Sequence, residues 1–253
     1  MLELKDVSVR FESRQALNRV SFSLREQAMT VMVGRNGSGK STMLGCVNRQ
    51  IPYTGQILLD GTDLALIPPR GRAGSVAILP QSVPSPHITA RELVSFGRNP
   101  YLDFTGRLTE ADRQAVEQAL RDADVLDLAQ RYVDTLSGGE KQRVLLAMLL
   151  AQNAPIALLD EPTAHLDPGN EAAFLELLQK MKKTRQKTFL VILHDLNLAV
   201  EYADDLIVLD GGELVFAGSR EDCLAKQVLE KNFALRRHRV SDGDRERYFF
   251  SVK

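Results

Sequence analysis

The stretch "MTVMVGRNGSGKST", Met29–Thr42, joins a short apolar run to a glycine-rich loop that carries a lysine. Met29–Val33 predicts a buried strand, and "STMLGCVNRQ", Ser41–Gln50, predicts the helix that follows the loop. The loop fits the pattern G-x-x-x-x-G-K-[ST], whose glycines let several backbone N–H groups converge on one anion. A strand, such a loop and a helix, in this order, predict a binding site for the phosphates of a nucleotide.

The side chains of this loop have predicted roles in binding the phosphates and Mg²⁺. Lys40 can reach the β- and γ-phosphates, and the Ser41 hydroxyl can bind Mg²⁺. The predicted nucleotide contacts in the loop are Gly34, Arg35, Asn36, Gly37, Ser38, Gly39, Lys40, Ser41 and Thr42. The loop alone leaves small-molecule kinases, GTPases, helicases and transport ATPases open, although the guanine-reading NKxD motif of GTPases is absent from the sequence.

Composition narrows the function classes further. A chain of 253 residues with 44% hydrophobic and 26% charged residues suits one α/β domain with an inserted subdomain. A net charge of −1 gives no global basic field for nucleic-acid binding. Cys46 and Cys223 lack metal-ligand spacing, so we expect them to pack as small apolar side chains in a reducing compartment. We expect a soluble chain, because it has no signal-peptide pattern and its longest apolar run, Val144–Ala151, is too short to cross a bilayer.

Periodicity predicts an α/β chain whose middle is helical. Strands are predicted at 2–11, 20–24, 29–33, 55–61 and 76–81, then at 155–160 and 188–193, with a hairpin turning at Gly211–Gly212. Helices are predicted at 89–98, 108–125, 140–152, 168–183 and 195–203, the second with a cap at Thr109. The predicted domains are a core (1–84 and 153–235), a helical insertion (85–152) and a tail (236–253). The tail is expected to be a loosely attached strand, and its basic cluster of Arg236, Arg237 and Arg239 a solvated face.

Acidic residues follow the apolar strand "IALL". Asp160 suits a Mg²⁺ ion held with the phosphate loop. We expect Glu161 to point elsewhere, because side chains alternate along a strand, and to orient or deprotonate an attacking water.

Two further polar residues follow apolar strands, where parallel sheets bind their ligands. Gln81 follows "VAILP" and can contact Mg²⁺ or the water. His194 follows "FLVIL" and can bind the γ-phosphate. We expect His87, His165 and His238 to be structural.

A second glycine-rich loop, "LSGGE", Leu136–Glu140, carries no lysine and runs into an apolar helix. With it, the chain resembles the ATP-binding subunits of ABC transporters up to about residue 220. The matching motifs are Walker A (Gly34–Thr42), the Q-loop (Gln81), the signature (Leu136–Glu140), Walker B (Leu158–Glu161), the D-loop (Ala164–Asp167) and the H-loop (His194).

The resemblance implies a P-loop NTPase (RecA-like) α/β core with an N-terminal antiparallel β-subdomain and an inserted α-helical subdomain. It implies ATP and Mg²⁺ as cofactors, with Glu161 as the catalytic carboxylate, Gln81 and His194 assisting, and Ser41, Gln81 and Asp160 as the Mg²⁺ site. Phe11, where tyrosine is commoner, would stack on adenine. Arg35 stands where proline is usual, and the signature ends in Glu140 instead of glutamine.

The resemblance also explains the second loop. In this family two ATPase subunits pack head to tail, so each ATP lies between the Walker A loop of one and the signature of the other. Ser137, Gly138, Gly139 and Glu140 would then bind the ATP of the second subunit of a homodimer, and Lys40 and Ser137 of one chain would act on different ATP molecules.

Three stretches, 76–81, 92–112 and 194–218, resemble the iron–siderophore, haem and cobalamin importer ATPases. This implies a peripheral protein at the cytoplasmic face of the bacterial inner membrane, working with separate integral membrane permease subunits, indirectly with a substrate-binding protein, and without nucleic acid. Phe96, Tyr101, Leu102 and Phe104 would either receive the permease coupling helix or pack in the helical insertion. The alternatives are a haem or cobalamin importer ATPase, an exporter ATPase, a non-transport ABC ATPase and a small-molecule kinase, against which the signature argues.

Overall fold

The computed structural model describes residues 1–12, 14–164, 166–242 and 245–252. The chain divides into two compact units. The terminal unit comprises Met1–Leu66 and Leu190–Lys253, and the central unit comprises Ile67–Phe189. The predicted helical insertion, 85–152, lies wholly within the central unit. The predicted domain boundaries stay a prediction.

The strands and helices alternate through much of the chain. The strands are β1 (Leu2–Phe11), β2 (Arg14–Ser23), β3 (Met29–Gly34), β4 (Thr54–Leu59), β5 (Thr62–Asp63), β6 (Val76–Leu79), β7 (Ile156–Asp160), β8 (Thr188–Ile192), β9 (Asp205–Asp210), β10 (Glu213–Ser219), β11 (Leu235–Asp242) and β12 (Arg245–Val252). The α-helices are α1 (Lys40–Val47), α2 (Pro69–Ser75), α3 (Ala90–Ser95), α4 (Glu110–Asp122), α5 (Gly138–Ala151), α6 (Pro168–Arg185), α7 (Leu196–Tyr202), α8 (Arg220–Ala225) and α9 (Val228–Phe233). Within the described ranges, no helix is long and apolar enough to cross a membrane.

The terminal unit contains two kinds of sheet. An antiparallel sheet has the order β2-β1-β4-β5, and β1 alternates buried and exposed residues along much of its length, as a strand with one covered face does. Separately, β3 pairs parallel with β9, and β9 pairs antiparallel with β10 across the predicted Gly211–Gly212 turn. Residues Met29–Val33 of β3 are all buried, so this strand delivers the phosphate loop from a covered core.

The central unit combines a parallel strand pair with a helical bundle. β6 pairs parallel with β7, whose residues Ile156–Asp160 are all buried. α5 packs against both α3 and α4. Arg98 ties these helices together, because its guanidinium donates to Asp112 Oδ1 (2.9 Å) and to the Ala151 carbonyl (2.7 Å). Residues 85–152 are all described and contain no strand, only an isolated bridge between Thr89 and Tyr132.

The predicted starts of the helices agree with the structure more closely than the predicted ends. Thr109 caps α4 as predicted, in a capping box with Asp112. The predicted helix at 89–98 is wrong at its end, because α3 stops at Ser95 and a 3₁₀ turn, Phe96–Tyr101, follows. Pro100 lies in that turn, and proline cannot donate the hydrogen bond that an α-helix requires.

The predicted single strand at the C-terminus is wrong. α8 and α9 precede a hairpin, because β11 and β12 pair antiparallel over their whole length. The Phe250 N–H donates to Asn197 Oδ1 of α7 (2.8 Å), so the hairpin is tied to the terminal unit. Arg237 is not solvated as predicted: it pairs with Glu230 (3.1 Å) and its guanidinium lies over the Tyr248 ring (5.4 Å).

Candidate nucleotide site

The phosphate loop begins where β3 ends at Gly34 and closes at Gly39, the residue before α1. Gly39 has φ +102°, and a Cβ there would lie 2.6 Å from Leu17 Cδ2. Only glycine accepts both the left-handed backbone and this close approach. The antiparallel sheet behind the loop therefore requires glycine at this position.

Lys40 is the first residue of α1 and is buried, with 5% of its surface exposed. Its Nζ donates to the carbonyls of Gly34 (2.9 Å) and Arg35 (3.1 Å). The loop thus holds the ammonium group over its own backbone. Gly39, the residue before α1, has no side chain that could cap the helix, so the backbone N–H groups at this helix start are suited to an added anion.

The rest of the loop fits a bound phosphate. Ser41 is exposed and Thr42 is half-buried, while Asn36 and Gly37 lie exposed on the outer turn. The Ser38 hydroxyl is buried and has no hydrogen-bond partner within the described part of the chain. A buried hydroxyl without a partner is costly, and a phosphate oxygen is one group that would satisfy it.

Two arginines contact the surroundings of this loop, one of them missed by sequence reasoning. Arg35 directs its guanidinium to the Asn232 carbonyl in α9 (3.0 Å), so its charge is bonded to the C-terminal region of the terminal unit. Arg14 donates to the Gly37 carbonyl (3.2 Å). It lies opposite Phe11 in the β1–β2 pairing, and only that pairing brings it to the loop. Phe11 is 47% exposed, as a ring that stacks on a base would need to be.

The acidic end of β7 lies in the central unit. Asp160 is the last residue of β7 and is 8% exposed. Glu161 follows the strand with φ +50°, a left-handed backbone that costs about 1–3 kcal/mol for a residue other than glycine. Glu161 lies beyond the end of β7 and not within it, so the expected alternation along the strand does not apply at this position.

Gln81 meets Glu161 directly. Its Nε2 donates to Glu161 Oε2 at 2.6 Å, although the two residues are 80 positions apart. This hydrogen bond fixes the amide so that its nitrogen faces the carboxylate and its oxygen is the acceptor end. A serine hydroxyl, an aspartate and an amide oxygen are donors that Mg²⁺ accepts. Among the described residues, no cluster of three or more His, Cys, Asp or Glu could hold a metal ion by itself.

The histidines have different surroundings. His194 is exposed, two residues beyond β8 and directly before Asp195, which caps α7. His87 stacks on Tyr132 with 4.2 Å between ring centroids, and its Nδ1 lies 2.9 Å from Asp134 Oδ2. His238 contacts the Ser251 hydroxyl (2.8 Å). His165 lies outside the described residues.

The signature loop starts α5 with a complete capping box. Ser137 Oγ accepts the Glu140 N–H, and the Glu140 carboxylate accepts the Ser137 N–H at 2.8 Å. Arg131 adds a hydrogen bond to Glu140 Oε1 at 3.0 Å. The hydrogen bonds from Ser137, followed by the charge of Arg131, hold the Glu140 pKa below its usual value. Ser137 and Gly138 are exposed, so the loop presents them to solvent.

Gly139 is buried because the D-loop region packs against it. A Cβ there would lie 2.9 Å from Asn170 Oδ1. Asn170 is itself held by Asp167, which caps α6 and accepts both the Asn170 N–H (3.0 Å) and its Nδ2 (2.5 Å). A side chain at position 139 would therefore press on the Asn170 amide, which Asp167 holds in place.

The predicted apolar cluster is partly exposed. Phe96, Tyr101 and Phe104 are 48%, 43% and 100% exposed, and Leu102 is half-buried. The Tyr101 hydroxyl donates to the Gln152 carbonyl (2.7 Å) and Arg98 covers its ring. Tyr101 is therefore partly a packing residue, whereas Phe104 has a fully exposed ring.

Comparison with known proteins agrees with this geometry. The family model described as ABC transporter matches residues 17–164. The probable siderophore transport system ATP-binding protein YusV of Bacillus subtilis is 34% identical, over 92% of this chain and 86% of its own length. The achromobactin transport ATP-binding protein CbrD of Dickeya dadantii is 36% identical, over 91% of this chain and 87% of its own length.

Solved structures share the fold. An inward-facing putative metal-chelate type ABC transporter superposes with a TM-score of 0.86 at 24% identity, covering 99% of this chain and 96% of that one. The dimeric ABC transporter cassette MJ0796 superposes with a TM-score of 0.75 at 27% identity, covering 87% and 99%. The fold is therefore the predicted ABC ATPase fold. The chain belongs to the ATP-binding subunits of ABC transporters, and it is an ATPase that binds nucleotide.

Proposed function

We propose that this chain is the ATP-hydrolysing subunit of a bacterial importer for an iron–siderophore chelate. The relatives named above support the cargo class, because YusV is named for siderophore transport and CbrD for achromobactin transport. The chain would act as a homodimer at the cytoplasmic face of the inner membrane, on separate permease subunits that receive substrate from a binding protein. The fully exposed Phe104 ring supports a docking role for its surface.

The hydrogen bond between Gln81 and Glu161 carries the proposed chemistry. Glu161, held by Gln81 at 2.6 Å, would orient or deprotonate the attacking water. Ser41, Asp160 and the Gln81 oxygen would hold Mg²⁺, which neutralises phosphate charge when bound. Lys40 would bind the β- and γ-phosphates after leaving the Gly34 and Arg35 carbonyls. His194 would contact the γ-phosphate, and Phe11 would stack on adenine.

The proposed cycle uses the two glycine loops at different moments. The phosphate loop binds ATP in each chain on its own. Ser137 and the N–H groups of Gly138 and Gly139 then bind the ATP of the second chain and close the dimer. Hydrolysis removes the γ-phosphate that joins the chains, so closure and opening follow the state of the nucleotide. The dimeric cassette among the similar structures supports such a pairing.

Glu161→Gln tests the chemistry, because the amide keeps the shape of the carboxylate and cannot accept a proton. We expect ATP affinity within about twofold of the parent. Turnover should fall by about 100-fold or more, since a general base supplies that much, and an ATP-bound dimer should accumulate in sedimentation. Glu176→Gln, on the exposed side of α6, is the matched control. Hydrolysis by Glu161→Gln at the parent rate would contradict the role of Glu161.

Uptake by cells tests the cargo. Cells that carry the chain and its membrane subunits should accumulate radioactive iron supplied as a ferric siderophore, and Glu161→Gln should abolish the accumulation. Loss of haem or cobalamin uptake, with siderophore uptake intact, would reassign the cargo. Accumulation of iron in the variant above the parent level would indicate export.

A further inference from the structure

The segment between Gln81 and α3 has few backbone hydrogen bonds of its own. Residues 80–87 form no regular element, and Pro80, Pro84 and Pro86 lack N–H groups. Contacts from elsewhere in the central unit therefore fix its position. His87 stacks on Tyr132 just before the signature. A lysine side chain reaches the middle of the segment.

Lys141 supplies this second contact from the first turns of α5. Its Nζ donates to the Val83 carbonyl at 3.0 Å and to the Ser85 hydroxyl at 2.5 Å. Its own backbone N–H donates to the Ser137 carbonyl at 2.9 Å. One residue therefore joins the segment that follows Gln81 to the serine of the signature loop.

The two segments that Lys141 connects each contain a residue of the proposed site. Two positions before Val83, Gln81 is bonded to Glu161, the proposed catalytic carboxylate. Four positions before Lys141, Ser137 is exposed and would bind the ATP of the second chain. A change in the position of Gln81 would shift Val83 and Ser85, and through Nζ of Lys141 it would shift the start of α5.

We infer that Lys141 is a positioning residue that links the Gln81 segment to the signature loop, so that the nucleotide state sensed at Glu161 sets the position of Ser137. This inference rests on the proposed function and adds a residue that acts within one chain. A lysine that only stabilised the fold would lower the melting temperature without changing the nucleotide dependence of the dimer. The two roles are therefore separable by measurement.

Lys141→Met keeps the unbranched chain up to Cε and removes the charged amine, and it is to be tested in the Glu161→Gln chain. With ATP and Mg²⁺, the dimer dissociation constant should rise about tenfold, the value of one charge-assisted hydrogen bond. The ATP affinity of the single chain should stay within about twofold, because the phosphate loop is unchanged. Lys141→Arg should restore most of the dimer affinity, since a guanidinium can also donate to the Val83 carbonyl. Lys180→Met, exposed on α6, is the control.

Ser85→Ala provides a second variant that does not touch the helix. It should weaken the dimer by about threefold, and the double variant with Lys141→Met should be no weaker than Lys141→Met alone. An unchanged dimer constant in Lys141→Met, or additive effects in the double variant, would overturn the inference and leave the proposed function standing. Failure of Glu161→Gln itself to dimerise with ATP would overturn both.

Discussion

The two glycine-rich loops of this chain start helices in opposite ways. The phosphate loop ends at Gly39, whose left-handed backbone starts α1 without a side-chain cap, and a buried lysine follows. The signature loop ends at Ser137, which starts α5 in a capping box with Glu140. One helix start thus carries a cation and follows a residue that has no side chain for capping. The other carries an anion that already satisfies part of its backbone.

This difference suits the first loop to binding a nucleotide and the second loop to completing the site of a nucleotide held by the second chain. The N–H groups at the start of α1 are suited to an added phosphate, because Gly39 supplies no side chain that caps them. The signature loop has its shape before any phosphate arrives, since Ser137 and Glu140 bond each other. We therefore expect the first loop to govern nucleotide affinity and the second to govern assembly.

Removing the phosphate-loop lysine should have the largest effect. Lys40→Ala deletes the charge that would leave two loop carbonyls for the β- and γ-phosphates. Charge-assisted hydrogen bonds contribute about 1.5–3 kcal/mol each, so ATP affinity should fall by about 100-fold or more, measured with a fluorescent nucleotide. Lys180→Ala, exposed on α6, should bind normally. Parent-like affinity in Lys40→Ala would mean that the backbone alone holds the phosphates.

Blocking the second loop should leave nucleotide affinity intact. Ser137→Arg places a bulky cation where the ATP of the second chain would enter, while the phosphate loop is unaltered. ATP affinity should stay within about twofold of the parent, whereas sedimentation with ATP and Mg²⁺ should show only single chains. If Ser137→Arg still forms the ATP-bound dimer, the signature loop does not govern assembly.

Changing the cap itself should have the smallest effect. Glu140→Ala removes one side of the capping box and should cost about 1 kcal/mol of unfolding free energy, which lowers the melting temperature by about 2–4 °C in a chain of this size. Glu140→Gln should cost less, because glutamine can complete the box.

The pH dependence of this effect has a definite sign. Because the folded pKa of Glu140 lies below its unfolded value of 4.5, the carboxylate stabilises the fold above that pH. This contribution is lost as pH falls through the folded pKa. The difference in melting temperature between the parent and Glu140→Gln should therefore shrink from pH of about 6 to about 3. A difference that stays constant over this range would show that the charge of Glu140 contributes nothing.

Local patterns predicted most of the elements and one helix cap. The apolar runs predicted β3, β7 and β8, and Thr109 predicted the start of α4. The C-terminal hairpin escaped prediction, because charged strands such as β11 carry little apolar periodicity and are defined by their partner β12. The prediction that Arg237 is solvated failed for the same reason, because the fold brings Glu230 and Tyr248 to it.

The motifs identified the candidate residues of the site and missed those that support them. Arg14 and Asn170 belong to no pattern that marks them as neighbours of a glycine loop, and no pattern marks Lys141, which follows the signature loop, as a partner of Val83. Each acts on a residue far away in the sequence: Arg14 on Gly37, Lys141 on Val83, and Asn170 on Gly139. The spacing of residues along the chain predicts single helices, strands and loops, and it cannot predict which of these elements contact one another.

The sequence by itself determined the family, the fold class and the two glycine loops, because these depend on local backbone chemistry: glycine at Gly39, a lysine after it, and acids at the end of an apolar strand. Only the tertiary structure decided that Arg35 points to Asn232, that Glu161 leaves its strand in a left-handed turn, and that Gln81 holds Glu161. These features depend on residues that are 80 to 197 positions apart or on strain imposed by packing, and neither is written in a local pattern.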